Sequence, residues 1–326
     1  FLSENTSLID ASMKQGITFI GPSSKVVKVM GDKVKARLAA QDAGLQLVPG
    51  TLKAVTRRQG LKLATAIGFP LMVKAIGGGG GIGIIKVTEK DHLKDAITRA
   101  SAISKGNFAN GGVYLEKFIE GASHIEVQIV RDMFGKTLHL FERDCSIQRR
   151  NQKIIEESPA LKLSKRAKNK IYTAAVRLAN SIGYTGVGTV EFLMDDTSTI
   201  YFLEMNTRLQ VEHGITESVT GLDMVALQLK IAAKEPLEIS QADIHIKGHS
   251  IEARIYPEDP VTLMPQIGVI DQISMPEGEG IRVDSALKTG YEVSSHYDPL
   301  LAKIIAWDQN RDDAIQRLCN ALEDFQ

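Results

Sequence analysis

Two glutamates and an asparagine lie where a β-hairpin is expected, and their side chains are of the types that bind a divalent cation. The pattern of Gly188–Met194 and Ile200–Met205 predicts two strands joined by a polar turn. Glu191 and Glu204 then lie side by side, and Asn206 shares their face because side chains alternate along a strand. Carboxylate and amide oxygens suit Mg²⁺. Surface glutamates are the alternative, but apolar neighbours on both strands favour charges that have a partner.

A run of five glycines, Gly77–Gly81, follows a predicted strand at Leu71–Ile76. Consecutive glycines cost backbone entropy, and their use would be to let N–H groups close around phosphate oxygens. Lys74 would add a positive charge to the same phosphates. No Gly-Lys-Ser or Gly-Lys-Thr follows, so the loop is not a P-loop. A flexible linker is the alternative, and we favour a flexible lid over phosphates.

Polar side chains alternate after the hairpin, at Arg208, Gln210 and Glu212. On an extended segment a guanidinium, an amide and a carboxylate at these positions would share one face. They could converge on a small oxyanion such as bicarbonate, with the carboxylate as its base. A solvent-facing strand is the alternative, and the neighbouring metal hairpin favours the site.

The elements that must position these groups follow from apolar periodicity. A strand at Ile17–Ile20 and a helix at Lys33–Ala43 predict the end of an α/β unit. A small separate lobe is predicted from strands Leu71–Ile76, Ile84–Val87 and Val113–Phe118 and from a helix at Asp91–Ser104.

A larger, mostly antiparallel region is expected after this lobe. It is predicted from strands Ile125–Arg131 and Leu138–Arg143 and from helices Lys165–Ile182 and Leu222–Ala233, before a turn-rich final region. The sequence therefore predicts a chain of mixed α+β and α/β character.

Composition excludes several classes of function. Among 326 residues, 39 lysines and arginines balance 39 aspartates and glutamates, so no net field favours nucleic acid or an anionic membrane. No apolar run approaches the roughly 20 residues that span a bilayer. Cys145 and Cys319, without a CxxC spacing, argue against disulfides or zinc. We expect a cytoplasmic protein, with the mitochondrial matrix as alternative, and Cys145 as a small hydrophobe rather than a nucleophile.

Three longer motifs resemble biotin carboxylases, a branch of the ATP-grasp enzymes. They are Lys-Ala-x-Gly-Gly-Gly-Gly-Gly at 74–81, Glu-Arg-Asp-Cys-Ser-Ile-Gln-Arg-Arg at 142–150, and Glu-Met-Asn-Thr-Arg-Leu-Gln-Val-Glu-His at 204–213. Their order is that of the family, and the resemblance covers essentially the whole chain. It implies an ATP-grasp fold whose two lobes clamp a nucleotide. The expected parts are a remnant of an amino-terminal α/β lobe at 1–45, a small lid lobe at 46–117 and a large lobe at 118–326.

The resemblance also implies roles for single residues. For the nucleotide it implies Lys33, Lys74, Gly80, Gly81, Glu116, Lys117, Phe118, Ile119, His124, Gln148 and Asn151, with the backbone atoms of residues 116–119 reading adenine. For Mg²⁺ or Mn²⁺ it implies Glu191, Glu204 and Asn206. For bicarbonate and biotin it implies Lys153, Arg208, Gln210, Val211 and Arg282, with Arg208, Lys153 and the general base Glu212 as catalytic residues.

The implied activity is ATP- and Mg²⁺-dependent carboxylation of carrier-bound biotin, the first half-reaction of an acyl-CoA carboxylase. Glu212 would deprotonate bicarbonate, which attacks the γ-phosphoryl of ATP to give carboxyphosphate. Biotin would then attack the CO₂ released, and Arg282 would stabilise its enolate. The implied partners are a biotin carboxyl carrier domain or protein, a carboxyltransferase and a second copy of the chain in a homodimer. No nucleic acid or membrane partner is expected.

Four departures from the family's pattern bear on these expectations. Ile82 replaces a basic residue in the lid, and Asn151 replaces a histidine but can still bond a hydroxyl. Gly214 replaces a proline, so we expect a looser turn there. The chain starts at Phe1, after the point where the family has a Tyr-Gly pair, and we expect most of the amino-terminal lobe to be absent.

Two alternatives stay open. Another ATP-grasp ligase, of the carbamoyl-phosphate or purine-pathway carboxylating kind, would share the lid and the metal hairpin, although Arg282 and the run 148–150 favour biotin carboxylase. A nucleotide-binding module without turnover is the other alternative. Ile82 and the absent lobe could abolish carboxylation while ATP still binds.

Overall fold

A computed structural model describes residues 2–76, 83–108 and 112–326, with residues 107 and 108 described by their backbone only. The predicted nucleotide contacts Gly80 and Gly81, and the departure at Ile82, lie outside the described residues. Within these ranges, no helix is long and apolar enough to cross a membrane.

The described chain contains both helices and strands. The helices are α1 (Thr6–Lys14), α2 (Ser24–Met30), α3 (Lys33–Asp42), α4 (Arg57–Ile67), α5 (Lys90–Phe108), α6 (Lys165–Ser181), α7 (His213–Thr220), α8 (Met224–Ala232) and α9 (Arg311–Asp324). The strands are β1 (Leu71–Ala75), β2 (Ile84–Val87), β3 (Val113–Lys117), β4 (Ser123–Arg131), β5 (Thr137–Arg149), β6 (Gln152–Ser158), β7 (Gly186–Met194), β8 (Ile200–Asn206), β9 (His249–Ile255), β10 (Gly268–Val269), β11 (Ile281–Ser285), β12 (Glu292–Val293) and β13 (Ala302–Asp308).

Side-chain caps determine where helices near the candidate site begin. The Asp32 carboxylate accepts hydrogen bonds from the N–H groups of Val34 and Lys35 at 3.1 Å each, so α3 begins at Lys33. Asn310 caps α9 in the same way. These signals are local in sequence, and the helix predicted from Lys33 begins at that residue in the structure.

A three-stranded antiparallel sheet has the order β2-β1-β3, and α4 and α5 pack against it. Its core is apolar, with at most 3% exposure at Leu71, Val73, Leu93, Ile97 and Leu115. This layer carries Lys74 on β1 and Glu116 on β3. The small lobe predicted around the glycine run therefore has its own core.

The remaining main sheet has eight strands in the order β11-β13-β9-β6-β5-β4-β7-β8. The chain divides into two compact units, and the boundary falls within β5. The first unit comprises the described residues of Phe1–Phe141, Leu161–Gln210 and Met224–Asp243, and the second those of Glu142–Ala160, Val211–Asp223 and Ile244–Gln326. The three-part division expected from the sequence stays a prediction.

The sheet strands of the second unit have one apolar and one charged face. The apolar face packs against α9 through Ile251, Ala253, Ile304, Ala306, Ala314 and Leu318. Neighbouring positions on the same strands point to the other face, because β side chains alternate, and there they are Glu252, Arg254 and Lys303. Helix α7 contacts this charged face, where its Glu217 pairs with Arg282 of β11.

Two predictions of local structure are wrong. Residues 17–20 form no strand; Ile17 and Ile20 are 62% and 47% exposed, and the Ile17 N–H donates to Ser12 O at 2.9 Å after α1. Residues 207–212 are irregular rather than extended, and Glu212 has φ −78° and ψ 11° just before α7. Alternating residues form a strand only where a neighbouring strand accepts their backbone hydrogen bonds.

Helix α9 carries one buried and one exposed leucine, and substituting each of them tests which face of the helix lies in the core. Leu318 is 5% exposed, whereas Leu322, one turn later, is 37% exposed. We expect Leu318→Ala to lower the free energy of unfolding by about 2–5 kcal/mol, through lost burial and the cavity left behind. The same substitution at Leu322 should cost less than about 1 kcal/mol. Urea denaturation followed by circular dichroism measures both, and equal losses would contradict this core.

A partly buried ion pair at the start of α9 predicts a pH dependence. Glu157 accepts from Arg311 Nε at 2.6 Å and lies 2.8 Å from His249 Nε2. Burial raises the pKa of Glu157, but these hydrogen bonds outweigh burial and lower it. A lowered pKa means that the carboxylate stabilises the fold above its unfolded pKa of about 4.3, and that this contribution disappears at lower pH.

We therefore expect Glu157→Gln to lower the free energy of unfolding by about 1 kcal/mol or more at pH 7. The difference from the parent protein should shrink as the pH falls below about 4.3. Denaturation curves at several pH values measure it, with Glu323→Gln, an exposed position on α9, as control. A difference that grew towards acid pH would have the wrong sign.

Candidate active site

The predicted metal hairpin is formed by β7 and β8, and its pairing is confirmed. Glu191 and Glu204 are directly opposite one another, and Asn206 is the last residue of β8. The amide groups of Asn206 and Gln210 both donate to Glu191 Oε1 at 2.8 Å. Glu191 is only 4% exposed, so these bonds stabilise a carboxylate that burial alone would penalise.

Basic groups contact both glutamates. Lys33 Nζ lies 3.0 Å from Glu204 Oε2, and His124 Nε2 lies 3.0 Å from Glu191 Oε2. Burial lowers the pKa of Lys33, but Glu204 outweighs burial and the net shift is upward, so the lysine is charged. Glu126 of β4 joins His124 and Glu191 in a group whose ligand atoms all lie within 4.8 Å of one another.

The oxygen atoms of the hairpin side chains are suitable ligands for a hard divalent cation. Glu191 and Glu204 offer carboxylate oxygens. The Asn206 nitrogen donates to Glu191, and its Oδ1 is an acceptor 3.3 Å from Arg208 NH2. Oxygens of this kind bind Mg²⁺ and Mn²⁺. The contacts of Lys33 and Arg208 show that the same oxygens already attract positive charge.

A second buried carboxylate holds Lys74. The Nζ of Lys74 lies 2.5 Å from Glu116 Oε2, and Arg37 pairs with the other carboxylate oxygen of Glu116. All three side chains are at most 9% exposed. The sequence predicts only a backbone role for Glu116, whereas its side chain positions Lys74. Arg37 is not among the predicted site residues, and the signal that could have found it is its position one helical turn after Lys33.

The segment predicted to read adenine, Glu116–Ile119, lies at the end of β3. The N–H of Lys117 donates to Pro49 O at 2.7 Å, and that of Phe118 donates to Pro70 O at 3.1 Å. These two N–H groups therefore serve the fold and are not available to a base. The role of the remaining backbone groups stays a prediction.

Arg208 and Gln210 point to different partners within the first unit. Gln210 is 5% exposed and bonds to Glu191, whereas Arg208 Nε lies 3.2 Å from Glu4 Oε2. Glu4 also accepts from the backbone N–H and hydroxyl of Thr207, at 3.0 and 2.9 Å. The Arg208 side chain is 34% exposed, so solvent and a dissolved anion can reach it.

In the second unit, Glu212 lies between two cations. Lys153 Nζ is 2.5 Å from its Oε1, and Arg254 NH2 is 3.0 Å from its Oε2, while its side chain is 2% exposed. Burial would raise the pKa of Glu212, but Lys153, Arg143 and Arg254 outweigh burial and hold it well below its usual value. Glu212 is therefore ionised in this arrangement.

Arg254 is a residue that the sequence analysis misses. Burial lowers its pKa, but Glu156 and Glu212 outweigh burial and raise it, so it stays charged. It lies on β9 two residues after Glu252, and both are buried to a large extent. Charges at alternate positions of an otherwise apolar strand are the signal that could have identified it.

Arg282, predicted to lie near biotin, is tied into two ion pairs. Its NH1 lies 2.6 Å from Glu217 Oε2 and its Nε 2.8 Å from Asp284 Oδ1, with the side chain 39% exposed. Gly214 lies in the first turn of α7 and not in a looser turn. A Cβ on Gly214 would come within 2.4 Å of Ile305 Cδ1, so the end of that side chain would have to shift to accept a larger residue. The biotin contact of Arg282 stays a prediction.

Lys303, also missed by sequence reasoning, fixes the peptide that precedes Glu212. Its Nζ donates to Val211 O and lies 3.2 Å from Asp284 Oδ2, and the residue is 7% exposed. The predicted contact of Val211 with bicarbonate stays a prediction. The carbonyl of Val211, however, already has a partner, and its peptide plane is held in one orientation.

Gln148 and Asn151 flank the turn between β5 and β6. Gln148 Nε2 donates to Cys145 O at 2.8 Å, and Cys145 is buried, as expected. Arg150 and Asn151 have φ of 51° and 65°, in the left-handed region that asparagine adopts more readily than most residues. Asn151 therefore suits this turn, and its predicted contact with the nucleotide stays a prediction.

Sequence comparisons give one consistent class of protein. The sequence model of the carbamoyl-phosphate synthase L chain ATP-binding domain matches residues 32–240, and that of the biotin carboxylase C-terminal domain matches residues 252–326. The biotin carboxylase of Halalkalibacterium halodurans is 47% identical over 326 residues, which are 100% of this chain and 72% of that relative. Biotin carboxylase 2 of Bacillus subtilis is 46% identical over 99% of this chain and 73% of its own length.

Solved structures agree with the sequence relatives. A Campylobacter jejuni biotin carboxylase in complex with β,γ-ATP has a TM-score of 0.98 and 41% identity, over 100% of this chain and 73% of that chain. The biotin carboxylase domain dimer of Hydrogenobacter thermophilus 2-oxoglutarate carboxylase, with MgADP, ADP and bicarbonate, has a TM-score of 0.98 and 42% identity. Coverage in that comparison is 100% of this chain and 72% of that chain.

The fold and the matched ATP-binding domain define an ATP-grasp protein, which confirms the fold class predicted from the sequence. The second unit contains the whole segment that matches a biotin carboxylase C-terminal domain. The chain belongs to the biotin carboxylase family. The family predicted from the three motifs is therefore confirmed.

Removal of one charge from the metal hairpin tests its role. We expect Glu204→Gln to weaken Mg²⁺ binding to the ADP-bound protein by at least about tenfold, because a charged oxygen ligand is replaced by a neutral amide. Titration calorimetry with Mg²⁺ measures the affinity. Glu235→Gln, at an exposed position after α8, is the matched control. Equal affinity in the two variants would contradict the metal assignment.

Proposed function

We infer that this chain catalyses the ATP-dependent carboxylation of biotin by bicarbonate. The observation that carries the inference is the buried Glu212 carboxylate held between Lys153 and Arg254, in a chain of the biotin carboxylase family. Relatives named as biotin carboxylases match the chain over its whole length. A solved neighbour was crystallised with MgADP and bicarbonate, which are a product and a substrate of this reaction.

We propose that Glu191, Glu204 and Asn206 hold Mg²⁺ or Mn²⁺. When bound, the ion would neutralise charge on the phosphates of ATP. Lys33 and Lys74 would add positive charge to the same phosphates, and Glu116 would keep Lys74 oriented by its 2.5 Å ion pair. The glycines Gly80 and Gly81 are proposed as the lid over those phosphates.

Glu212 is proposed as the general base towards bicarbonate. In the structure its carboxylate is paired with Lys153 and Arg254, which lowers its proton affinity. A bicarbonate anion that contacts the same cations would share their charge, so the pKa of Glu212 would rise as the substrate binds. The bicarbonate proton would then move to the Glu212 carboxylate. The oxygen that has lost its proton would attack the γ-phosphorus of ATP, the bond from that phosphorus to the β–γ bridging oxygen would break, and ADP would leave as carboxyphosphate forms.

Two arginines are proposed for the later stage. Carboxyphosphate would break down to CO₂ and phosphate, the phosphate would take the proton from N1 of biotin, and that nitrogen would attack CO₂ to give carboxybiotin. Positive charge would stabilise the enolate form of the ureido group. Arg254 contacts Glu212 directly, whereas Arg282 is paired with Glu217 and Asp284. We therefore propose Arg254 as the cation nearest to the base and retain Arg282 as a second candidate for contact with biotin.

The wider assembly is proposed from the same family membership. We propose an acyl-CoA carboxylase component that works with a biotin carboxyl carrier and a carboxyltransferase, and that forms a homodimer. The lobes at 1–45, 46–117 and 118–326 are retained as proposed divisions. We propose the cytoplasm as location because the relatives named above are bacterial, although a poplar relative is named as chloroplastic. None of these relatives is named as mitochondrial.

ATP hydrolysis with Mg²⁺ and free biotin, with and without bicarbonate, tests the proposed reaction. We expect turnover that depends on bicarbonate and is stimulated by biotin. Arg208→Ala should lower it by about 100-fold, because a positive group at the oxyanion is removed. Arg166→Ala, at an exposed position of α6, should leave it unchanged.

The outcomes separate the alternatives. ATP binding without bicarbonate-dependent turnover would leave only a nucleotide-binding module. Turnover with a different carboxylate or amine substrate, and none with biotin, would instead indicate another ATP-grasp ligase.

A further inference from the structure

Two glutamates face one another on the charged face of the second unit. Glu156 of β6 and Glu252 of β9 are directly opposite in the antiparallel register. Both side chains are 0% exposed. Directly opposed residues on neighbouring strands have Cβ atoms about 4.5–5.5 Å apart, so two ionised carboxylates here would repel strongly in a medium without water.

One of these glutamates holds Arg254. Glu156 Oε1 accepts a hydrogen bond from Arg254 Nε at 2.6 Å, and Arg254 NH2 lies 2.5 Å from the same oxygen. The same NH2 group lies 3.0 Å from Glu212 Oε2. Arg254 therefore bridges Glu156 and Glu212. The guanidinium cannot turn away from Glu212 without also breaking its contacts with a fully buried carboxylate.

Three carboxylate oxygens of the pair lack a hydrogen-bond donor. Within the described ranges, Glu156 Oε2 and both oxygens of Glu252 are buried and have no hydrogen-bond partner. Lys303 Nζ is 3.9 Å from Glu252 Oε2, but it lies closer to Asp284, at 3.2 Å, and donates to Val211 O. The nearest lysine is thus engaged elsewhere. A proton on one carboxyl would provide the missing donor.

We propose that Glu156 and Glu252 share one proton, carried mainly by Glu252, and that ionised Glu156 is a positioning residue that aims Arg254 at Glu212. The proposal rests on the proposed role of Glu212 as the base. It assigns to the pair a single negative charge. With two charges, the pair would draw the guanidinium away from Glu212 more strongly, and Arg254 would lose its hold on the base.

The charge environment supports this assignment. Burial raises the pKa of Glu252 well above its usual value, although Lys303 opposes the shift. Burial also raises the pKa of Glu156, but its ion pair with Arg254 opposes the shift. The proton therefore resides on Glu252, and Glu156, which has the arginine as partner, is the member that ionises first.

Isotope-edited infrared spectroscopy tests the shared proton. In protein labelled with ¹³C-glutamate at neutral pH, we expect a carbonyl band of a protonated, buried carboxyl. The band should be absent from Glu252→Gln, whose amide mimics the neutral acid. A spectrum without that band in the parent protein, or an identical band in Glu252→Gln, would overturn the proposal. This readout does not require turnover, so it remains decisive even if the proposed reaction is wrong.

Kinetics test the positioning role. We expect Glu252→Gln to keep bicarbonate-dependent ATP hydrolysis within about twofold of the parent, because it replaces a neutral group by a neutral one. Glu156→Gln should lower kcat by about tenfold or more and raise the KM for bicarbonate, with the KM for ATP unchanged. A purely structural defect would not separate the two substrates in this way.

A conservative variant distinguishes the loss of the Glu156 charge from misfolding of the protein. Glu156→Asp keeps the charge and should lose less kcat than Glu156→Gln, and circular dichroism melts check that each variant is folded. Equal losses in Glu252→Gln and Glu156→Gln would overturn the proposal, since both carboxyls would then act as charges. If the parent protein shows no bicarbonate-dependent hydrolysis, the proposed function fails, and the infrared result still decides the protonation state.

Discussion

Burial of the Glu212 carboxylate is the constraint on which the second unit depends, because a charge that is 2% exposed is costly unless it is paired. Lys153 from β6 and Arg254 from β9 supply the pairing. Lys303 from β13 holds the carbonyl of Val211, the residue before it. Three adjacent strands must therefore be in register for one carboxylate to be stable. A slip of one residue would turn each of these cations to the apolar face that packs against α9.

The first unit uses the same principle at two places. Glu116 is paired with Lys74 and Arg37, and Glu204 with Lys33. In each case a lysine proposed to meet phosphate is already held by a buried or half-buried carboxylate. Such pairs add little net stability after the cost of desolvation. Their value is orientation, since a lysine with a fixed partner loses less conformational freedom when a ligand binds.

Much of the site could be predicted from the sequence where the signal is local. The hairpin with Glu191 and Glu204 follows from two alternating strands and one polar turn, and the structure has that register. The region after Ala233 is different, because its sequence predicts frequent turns although it contains the strands β9, β11 and β13. Its strands pair with partners distant in sequence, such as β13 with β9, so prolines and glycines in the loops dominate the local pattern.

The sequence by itself determined the family, the metal hairpin and the types of residue that could bind phosphate and bicarbonate, because those signals lie in short contiguous motifs. Only the tertiary structure decided which cation contacts Glu212. Arg254 is far from both Glu156 and Glu212 in sequence, and it contacts Glu156 because β6 and β9 pair, and Glu212 with the same guanidinium. It also decided that Glu156 faces Glu252. The physical reason is that the pairing of buried charges depends on strand register, which is a property of the folded sheet.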